Sequence, residues 1–306
     1  MRFPPRLIVA VAGISALLST GACDSVGAPD SRAAAAPVAA ATAAAPLAGT
    51  PPRGHFAVGE RHLRLARGER QLPVTIWYPK ATTGRYPVVL FSHGLGSTPG
   101  AYAVLIRKWA AAGFVVAAPA YPNTKRGVAV RPLDVLVQPV DASFVLDRVL
   151  ALDATDGDVL QGRLDLARVA AAGHSAGAIT TVEMFTLRRD PRLRAGVVLA
   201  GSTLGLNLHF SGPAVPMLFV HGKKDTVLSY AAGRAAFQSV PWPKAMLTLP
   251  QGTHSEALHG SDGAAFRAVD AATVDFLRWS LYRDQSARAR LDRIGGPDAV
   301  LQDQLN

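Results

Sequence analysis

From His55 onward the apolar residues fall into short runs whose spacing switches between two periods. His55 to Ala66 alternates, and Gln71 to Tyr78 carries Val74, Ile76 and Tyr78 in phase, which predicts two antiparallel strands joined at Arg67-Gly68-Glu69. Tyr86 to Ser92 is a continuous apolar and β-branched run, as a strand covered on both faces requires. The same character recurs over Phe114–Ala118, Val169–Gly173, Arg194–Ala200, Pro216–His221 and Ala245–Leu249. Helical spacing predicts helices over Ala101–Ala112, which Gly113 ends, and over Val140–Leu152, with Phe144, Val145, Leu146, Val149 and Leu150 inward and Asp141 and Asp147 on the solvated face. An amphipathic segment (Ile179, Val182, Met184, Phe185, Leu187) follows Gly173, and further helices are expected over Ala231–Ser239 and Phe266–Tyr282. Strands alternating with helices imply an α/β protein: a mainly parallel, doubly wound sheet with helices on both faces. Sites in such sheets form beyond the carboxyl ends of the strands.

One of those ends carries Gly173-His174-Ser175-Ala176-Gly177, a G-x-S-x-G sequence between a buried strand and a helix. The serine is forced into a strained corner with its hydroxyl above the sheet edge, and the glycines leave room for the adjoining backbone. A serine hydroxyl is a weak nucleophile at neutral pH and needs a neutral imidazole, itself oriented by a carboxylate. In this strand–turn–helix context the acid and then the histidine should follow the serine in the chain. Asp225 lies just past the strand ending at His221, and His254 just past the strand ending at Leu249, so Ser175, Asp225 and His254 form the expected triad. His259, five residues after His254, is the competing base, but it sits in what reads as a following helical turn. Backbone amides of Ala176 and of Leu95, in the bend His93-Gly94-Leu95-Gly96, are the candidate oxyanion donors. His93 and His174, which flank functional turns, read as residues that pack and hydrogen-bond locally, and His221 reads as a loop brace. No metal-ligand spacing occurs, so neither a metal nor another cofactor is expected.

The N-terminus follows another logic. Arg2 and Arg6 precede an apolar run from Leu7 to Leu18, too short to span a bilayer, and then come Thr20-Gly21-Ala22 and Cys23. Residues 1–22 therefore read as an export signal and 23–54, rich in Ala and Pro, as a disordered tether. The catalytic domain is expected over 55–285, with 286–306 a C-terminal tail, and no internal repeat is seen. Cys23 is the only cysteine of the 306 residues, so no disulfide can form within the chain. The formal charge of +10 falls to about +8 without the signal. Its basic residues are scattered, which argues against a nucleic-acid partner.

The signal ending in a lone cysteine resembles that of bacterial lipoproteins, which implies acylation of Cys23 and anchoring to the membrane; ordinary secretion is the alternative. From about residue 56 to 283 the chain resembles the α/β-hydrolase superfamily. Phe91-Ser92-His93-Gly94-Leu95-Gly96, Gly173-His174-Ser175-Ala176-Gly177 and Ala142-Ser143-Phe144-Val145-Leu146-Asp147 resemble the platelet-activating-factor acetylhydrolase and predicted dienelactone hydrolase group. In the acetylhydrolases the acid follows the strand equivalent to Arg194–Ala200, where this chain has Ala200-Gly201. The placement of Asp225 and His254 is instead similar to bacterial cutinase-like polyester hydrolases. The expected protein is a monomeric, exported serine esterase that acts through an acyl-enzyme on short-chain, lipid or polyester substrates. The alternatives are an envelope acyltransferase with the same triad and a catalytically silent binding protein. Few residues separate Ala200 from Pro216, so little or no lid is expected, and the cleft should be open and floored by Leu95, Tyr102, Ala176 and Leu204 or Leu206.

Overall fold

The computed structural model describes residues 51–52, 54–81, 83–260 and 263–305. The proposed signal, Cys23 and nearly all of the proposed tether lie outside the described residues. Strands β1 (Val58–Arg67) and β2 (Arg70–Pro79) form the expected hairpin, whose two-residue turn has Gly68 in the left-handed region at φ 57°. The remaining strands are β3 (Tyr86–Ser92), β4 (Val115–Pro119), β5 (Leu164–His174), β6 (Leu193–Leu199), β7 (Met217–Gly222), β8 (Lys244–Leu249) and β9 (Val300–Gln304). They make one nine-stranded sheet in the order β1-β2-β4-β3-β5-β6-β7-β8-β9. The pairings from β4 across to β8 are parallel, and antiparallel strands close both edges.

Both faces of the sheet are covered. The helices are α1 (Ala103–Ala111), α2 (Gln138–Leu150), α3 (Ala176–Glu183), α4 (Tyr230–Ser239), α5 (Glu256–His259), α6 (Ala264–Leu277) and α7 (Gln285–Leu291). Alternation along β3 sends Val89 and Phe91 to one core with Trp109 of α1 and Phe276 of α6, and Val88 and Leu90 to the other with Val145 and Val149 of α2. This is the α/β-hydrolase fold, and it places the carboxyl ends of β3, β5, β7 and β8 along one edge of the molecule.

Three expectations are corrected. Residues 286–306 are not a tail: they contribute α7 and β9, which pairs with β8 from Lys244↔Gln304 to Thr248↔Val300. Backbone pairing holds this strand, with Ala299 and Leu305 tucked into the core at its ends. The segment after Ser175 is not amphipathic. Every residue of α3 is buried, because the helix packs on β3, β5 and β6 and is covered by α2 and the short turn Pro132–Leu136. Asp141 is not solvated either: its side chain is fully buried under the β1–β2 hairpin. It accepts from Arg67 Nε at 2.8 Å and Arg70 Nη2 at 2.5 Å, and Arg70 also grips Asp134 at 2.8 Å. Asp147 does lie at the surface, paired with Arg192.

Candidate active site

β5 enters the serine turn fully buried, and Ser175 takes φ 57° and ψ −120°, a conformation that L-residues rarely adopt. Its own amide bonds the Leu199 carbonyl at the end of β6 at 2.9 Å, which ties the corner to the neighbouring strand. The two glycines are sterically required. A Cβ on Gly173 would stand 2.2 Å from the Gly177 carbonyl oxygen, and one on Gly177 would stand 2.0 Å from that of Ser92. The hydroxyl therefore stands at the N-terminus of α3, where the first helical amides have no acceptor within the helix.

The three residues expected to act together do meet. His254 Nε2 lies 2.9 Å from Ser175 Oγ, and His254 Nδ1 lies 2.7 Å from Asp225 Oδ2. A carboxylate only accepts, so Nδ1 carries the proton, and the bare Nε2 faces the serine hydroxyl as an acceptor. Burial works to raise the pKa of Asp225, but hydrogen bonds from His221 and His254, the charge of His254 and the Val227 amide together hold it well below the ordinary carboxylate value. All four acceptor positions are used. Oδ1 takes the Val227 and Leu228 amides at 2.8 and 2.9 Å, and Oδ2 takes His254 and, at 3.2 Å, His221 Nε2. His259 is not part of this set, since its Nδ1 donates to the Ala101 carbonyl at 2.7 Å.

The proposed oxyanion donors sit beside the serine. A Cβ on Gly94 would come within 3.3 Å of Ser175 Cβ, so this bend of the β3 loop closes directly over the nucleophile. The Gly94 carbonyl is pinned by His93 Nδ1–H at 2.8 Å and by the Ser97 amide at 3.1 Å. Because the peptide is planar and trans, fixing that carbonyl turns the Leu95 N–H the opposite way. His93 serves this bend as a neutral ring. Burial pushes its pKa down to about 4, and its Nε2 accepts the Tyr121 amide at 3.1 Å. Leu95 and Leu206 pack on a small apolar cluster of Val135, Ala176, Ile179 and Leu204, which forms a patch beside the hydroxyl.

Tyr102 does not floor the cleft. Only 1% of it is exposed, and its hydroxyl is turned inward to His174 Nδ1 at 2.8 Å. His221 was expected to brace a loop, and it does donate to the Leu228 carbonyl at 2.8 Å. That one N–H is shared with Asp225 Oδ2 at 3.2 Å, which makes His221 the fourth and weakest donor to the acid, a role signalled only by its place four residues before Asp225 across a strand end. Directly behind His254 the free space is about 10 Å³, too little for an acyl chain. A larger cavity, about 380 Å³, lies at the opposite edge of the sheet, lined by Tyr78, Tyr86, Val115 and Arg163. Leu95 and Leu206, partly buried against the Ala176 cluster next to Ser175, mark a side from which a substrate can approach. There the arrangement suits attack by the serine oxygen on an electrophilic carbon, with His254 taking the proton.

The chain is similar to known proteins over much of its length. A family model described as PET hydrolase-like matches residues 32–270. The platelet-activating factor acetylhydrolase of Cavia porcellus is 26% identical over 201 residues, covering 53% of this chain and 45% of the acetylhydrolase. Cutinase est2 of Thermobifida alba is 28% identical over 205 residues, covering 66% of this chain and 63% of the cutinase. Cutinase 2 of Thermobifida cellulosilytica is 30% identical over 207 residues, covering 66% and 72%. The chain thus spans less than two thirds of the length of the first two of these relatives. Both resemblances read from the motifs are found among them. Among the described residues no helix is long and apolar enough to cross a membrane.

Proposed function

This chain belongs to the PET hydrolase-like family, and from that premise we propose that it is an exported serine hydrolase that cleaves carboxylic esters of short-chain or polyester type through an acyl-enzyme. The observation that carries the reading is the unbroken path from Ser175 Oγ through both ring nitrogens of His254 to Asp225 Oδ2. Ser175 Oγ bonds to the ester carbonyl carbon as its proton passes to His254 Nε2, and Asp225 stays ionised to balance the imidazolium. The Leu95 and Ala176 amides donate to the oxyanion, assisted by the N-terminal end of α3. Collapse breaks the bond to the alcohol, which leaves with the proton held by His254. Water then repeats the sequence on the acyl-enzyme and frees the acid.

The apolar patch of Leu95, Ile179, Leu204 and Leu206 next to Ala176 supports a short or extended acyl group. The acid placed after β7 supports the cutinase-like branch over the acetylhydrolase branch. Export rests on the charged and apolar pattern of residues 1–22, and anchoring on acylation of Cys23, with 23–54 as the spacer between membrane and domain. The protein then acts as a monomer at the cell envelope.

A fluorophosphonate probe followed by peptide mapping tests the chemistry. The expected result is a single label on Ser175, together with hydrolysis of p-nitrophenyl esters that favours short acyl chains and release of monomers from a polyester film. A wild-type protein that neither labels nor turns over any of these esters overturns the reading. Cys23→Ser should move the protein from the membrane fraction to the soluble fraction with unchanged specific activity, and an unmodified N-terminus in the native protein overturns the anchor.

A further inference from the structure

Two buried side chains outside the triad, Tyr102 and His174, touch three separate loops of the site. The Gly94 amide, in the oxyanion bend, donates to the Tyr102 oxygen at 3.1 Å. The Tyr102 hydroxyl lies 2.8 Å from His174 Nδ1, and His174 Nε2 lies 2.9 Å from the backbone carbonyl of His254. The direction of each link follows by elimination. A carbonyl only accepts, so His174 Nε2 carries a proton. Burial, and next the neighbouring charge of His254, push the pKa of His174 well below its ordinary value, so the ring is neutral and Nδ1 is bare. The Tyr102 hydroxyl must then donate to Nδ1, and its oxygen is left to accept from Gly94.

We propose that Tyr102 and His174 are positioning residues, forming a one-way chain of hydrogen bonds that holds the oxyanion bend, the nucleophile turn and the base loop in register. The inference rests on the triad reading and adds to it what keeps the parts aligned. Its three links join residues 8, 72 and 80 positions apart, each in a different loop of the site. The fit is close on every side. A Cβ on Gly94 would stand 3.0 Å from His174 Nδ1 and 3.1 Å from the Tyr102 oxygen, and the His174 and His254 rings lie 4.8 Å apart. Simple satisfaction of buried polar groups does not require the chain to end on the backbone of the catalytic base itself. Holding that carbonyl fixes the peptide that carries His254, while holding the Gly94 amide fixes the peptide next to the Leu95 donor. Both ends therefore bear on groups whose placement matters most when the oxyanion and the imidazolium form.

Tyr102→Phe removes one oxygen and cuts the chain in the middle. Its expected effect is a fall in kcat of between about 10- and 100-fold, with KM changed by less than about 3-fold, because alignment and not ground-state binding is lost. The rate of fluorophosphonate labelling at Ser175 should fall with kcat. His174→Phe added to Tyr102→Phe should cost much less than the product of the two single losses, since both break one chain. In the wild-type protein, long-range nitrogen NMR should find His174 as the Nε2–H tautomer and His93 as the Nδ1–H tautomer, a readout that needs no variant to fold. Wild-type kcat in Tyr102→Phe, multiplicative losses in the double variant, or an Nδ1–H tautomer at His174 overturns the relay. Should Ser175→Ala retain activity, the triad reading fails instead; a dead Ser175→Ala beside a fully active Tyr102→Phe sinks the relay alone.

Discussion

The two ends of α3 lead to two buried carboxylates that the protein treats in opposite ways. At the N-terminal end, Ser175 leads through His254 to Asp225, whose oxygens hold four donors and whose charge is kept. At the C-terminal end sits Glu183, only 2% exposed, with neither carboxylate oxygen hydrogen-bonded among the described residues. Burial raises its pKa from 4.5 to about 7, against a small opposing pull from Arg188. Burial penalises both acids, so burial alone does not decide the charge state. The donors do: a carboxylate met by several N–H groups stays ionised, and one met by none takes up a proton. Asp141 resembles Asp225 in its contacts: it is fully buried and met by donors, here Arg67 and Arg70.

The largest effects are expected where the first carboxylate meets the chemistry. Ser175→Ala and His254→Ala should each lower kcat by a factor on the order of 10⁶, and Asp225→Asn by roughly 10⁴, because triad members act as a unit. Circular dichroism and thermal melting should show the fold retained in all three. If His259→Ala lost activity while His254→Ala kept it, the base would be misassigned. Next in size is the arginine-gripped acid. Asp141→Ala removes the buried carboxylate from Arg67 and leaves Arg70 with Asp134 alone, and urea unfolding should find the domain less stable by about 3–5 kcal/mol, with kcat little changed. A loss under about 1 kcal/mol would mean that these arginines find water or Asp134 at no cost.

The contrast between the two ends of α3 also marks what the sequence could and could not reveal. The triad was legible because each member announces itself locally: a serine between two glycines, and an acid and a histidine each just past a buried strand. The central strands were legible because they are covered on both faces and read as unbroken apolar runs. Asp141 was misread because helical spacing places it outward, and the residues that cover it lie more than 70 positions earlier, on the hairpin. Tyr102 and His174 were misjudged for the same reason, since their partnership spans 72 residues and leaves no pattern in either segment. β9 escaped notice because an exposed edge strand is held by its backbone, and Val300–Gln304 shows no alternation.

Glu183 gives the next sharpest test. An acid whose folded pKa is raised binds its proton more tightly when folded than when unfolded. The stabilisation is therefore complete below about pH 4.5 and is lost as the pH rises through about 7. Glu183→Gln is neutral at every pH and nearly the same shape, so it should abolish that dependence. Denaturant unfolding at pH 8 should find the variant more stable than the wild type by as much as about 3 kcal/mol, with little difference at pH 4.5. Equal stabilities at pH 8 would mean that Glu183 has a partner in solution and that the two ends of α3 are not opposites.

The smallest effect is expected from removing one donor of four at the other end. His221→Leu takes away the 3.2 Å contact to Asp225 Oδ2 and leaves the Leu228 carbonyl unpaired, while the contacts from His254, Val227 and Leu228 remain. Asp225 has a depressed folded pKa, so its contribution to stability is present above the ordinary carboxylate range and is lost as the pH falls through the lowered value. With one donor gone the folded value moves back toward ordinary. Acid unfolding should then begin at a higher pH, and stability at pH 7 should drop by about 1–2 kcal/mol. Turnover should fall only a few-fold, since His254 keeps its own bond to the carboxylate. His221→Gln retains an N–H donor and should recover part of both losses. An acid-unfolding midpoint that does not move in His221→Leu would show that three donors already hold the charge as firmly as four, and that His221 serves the Leu228 loop alone.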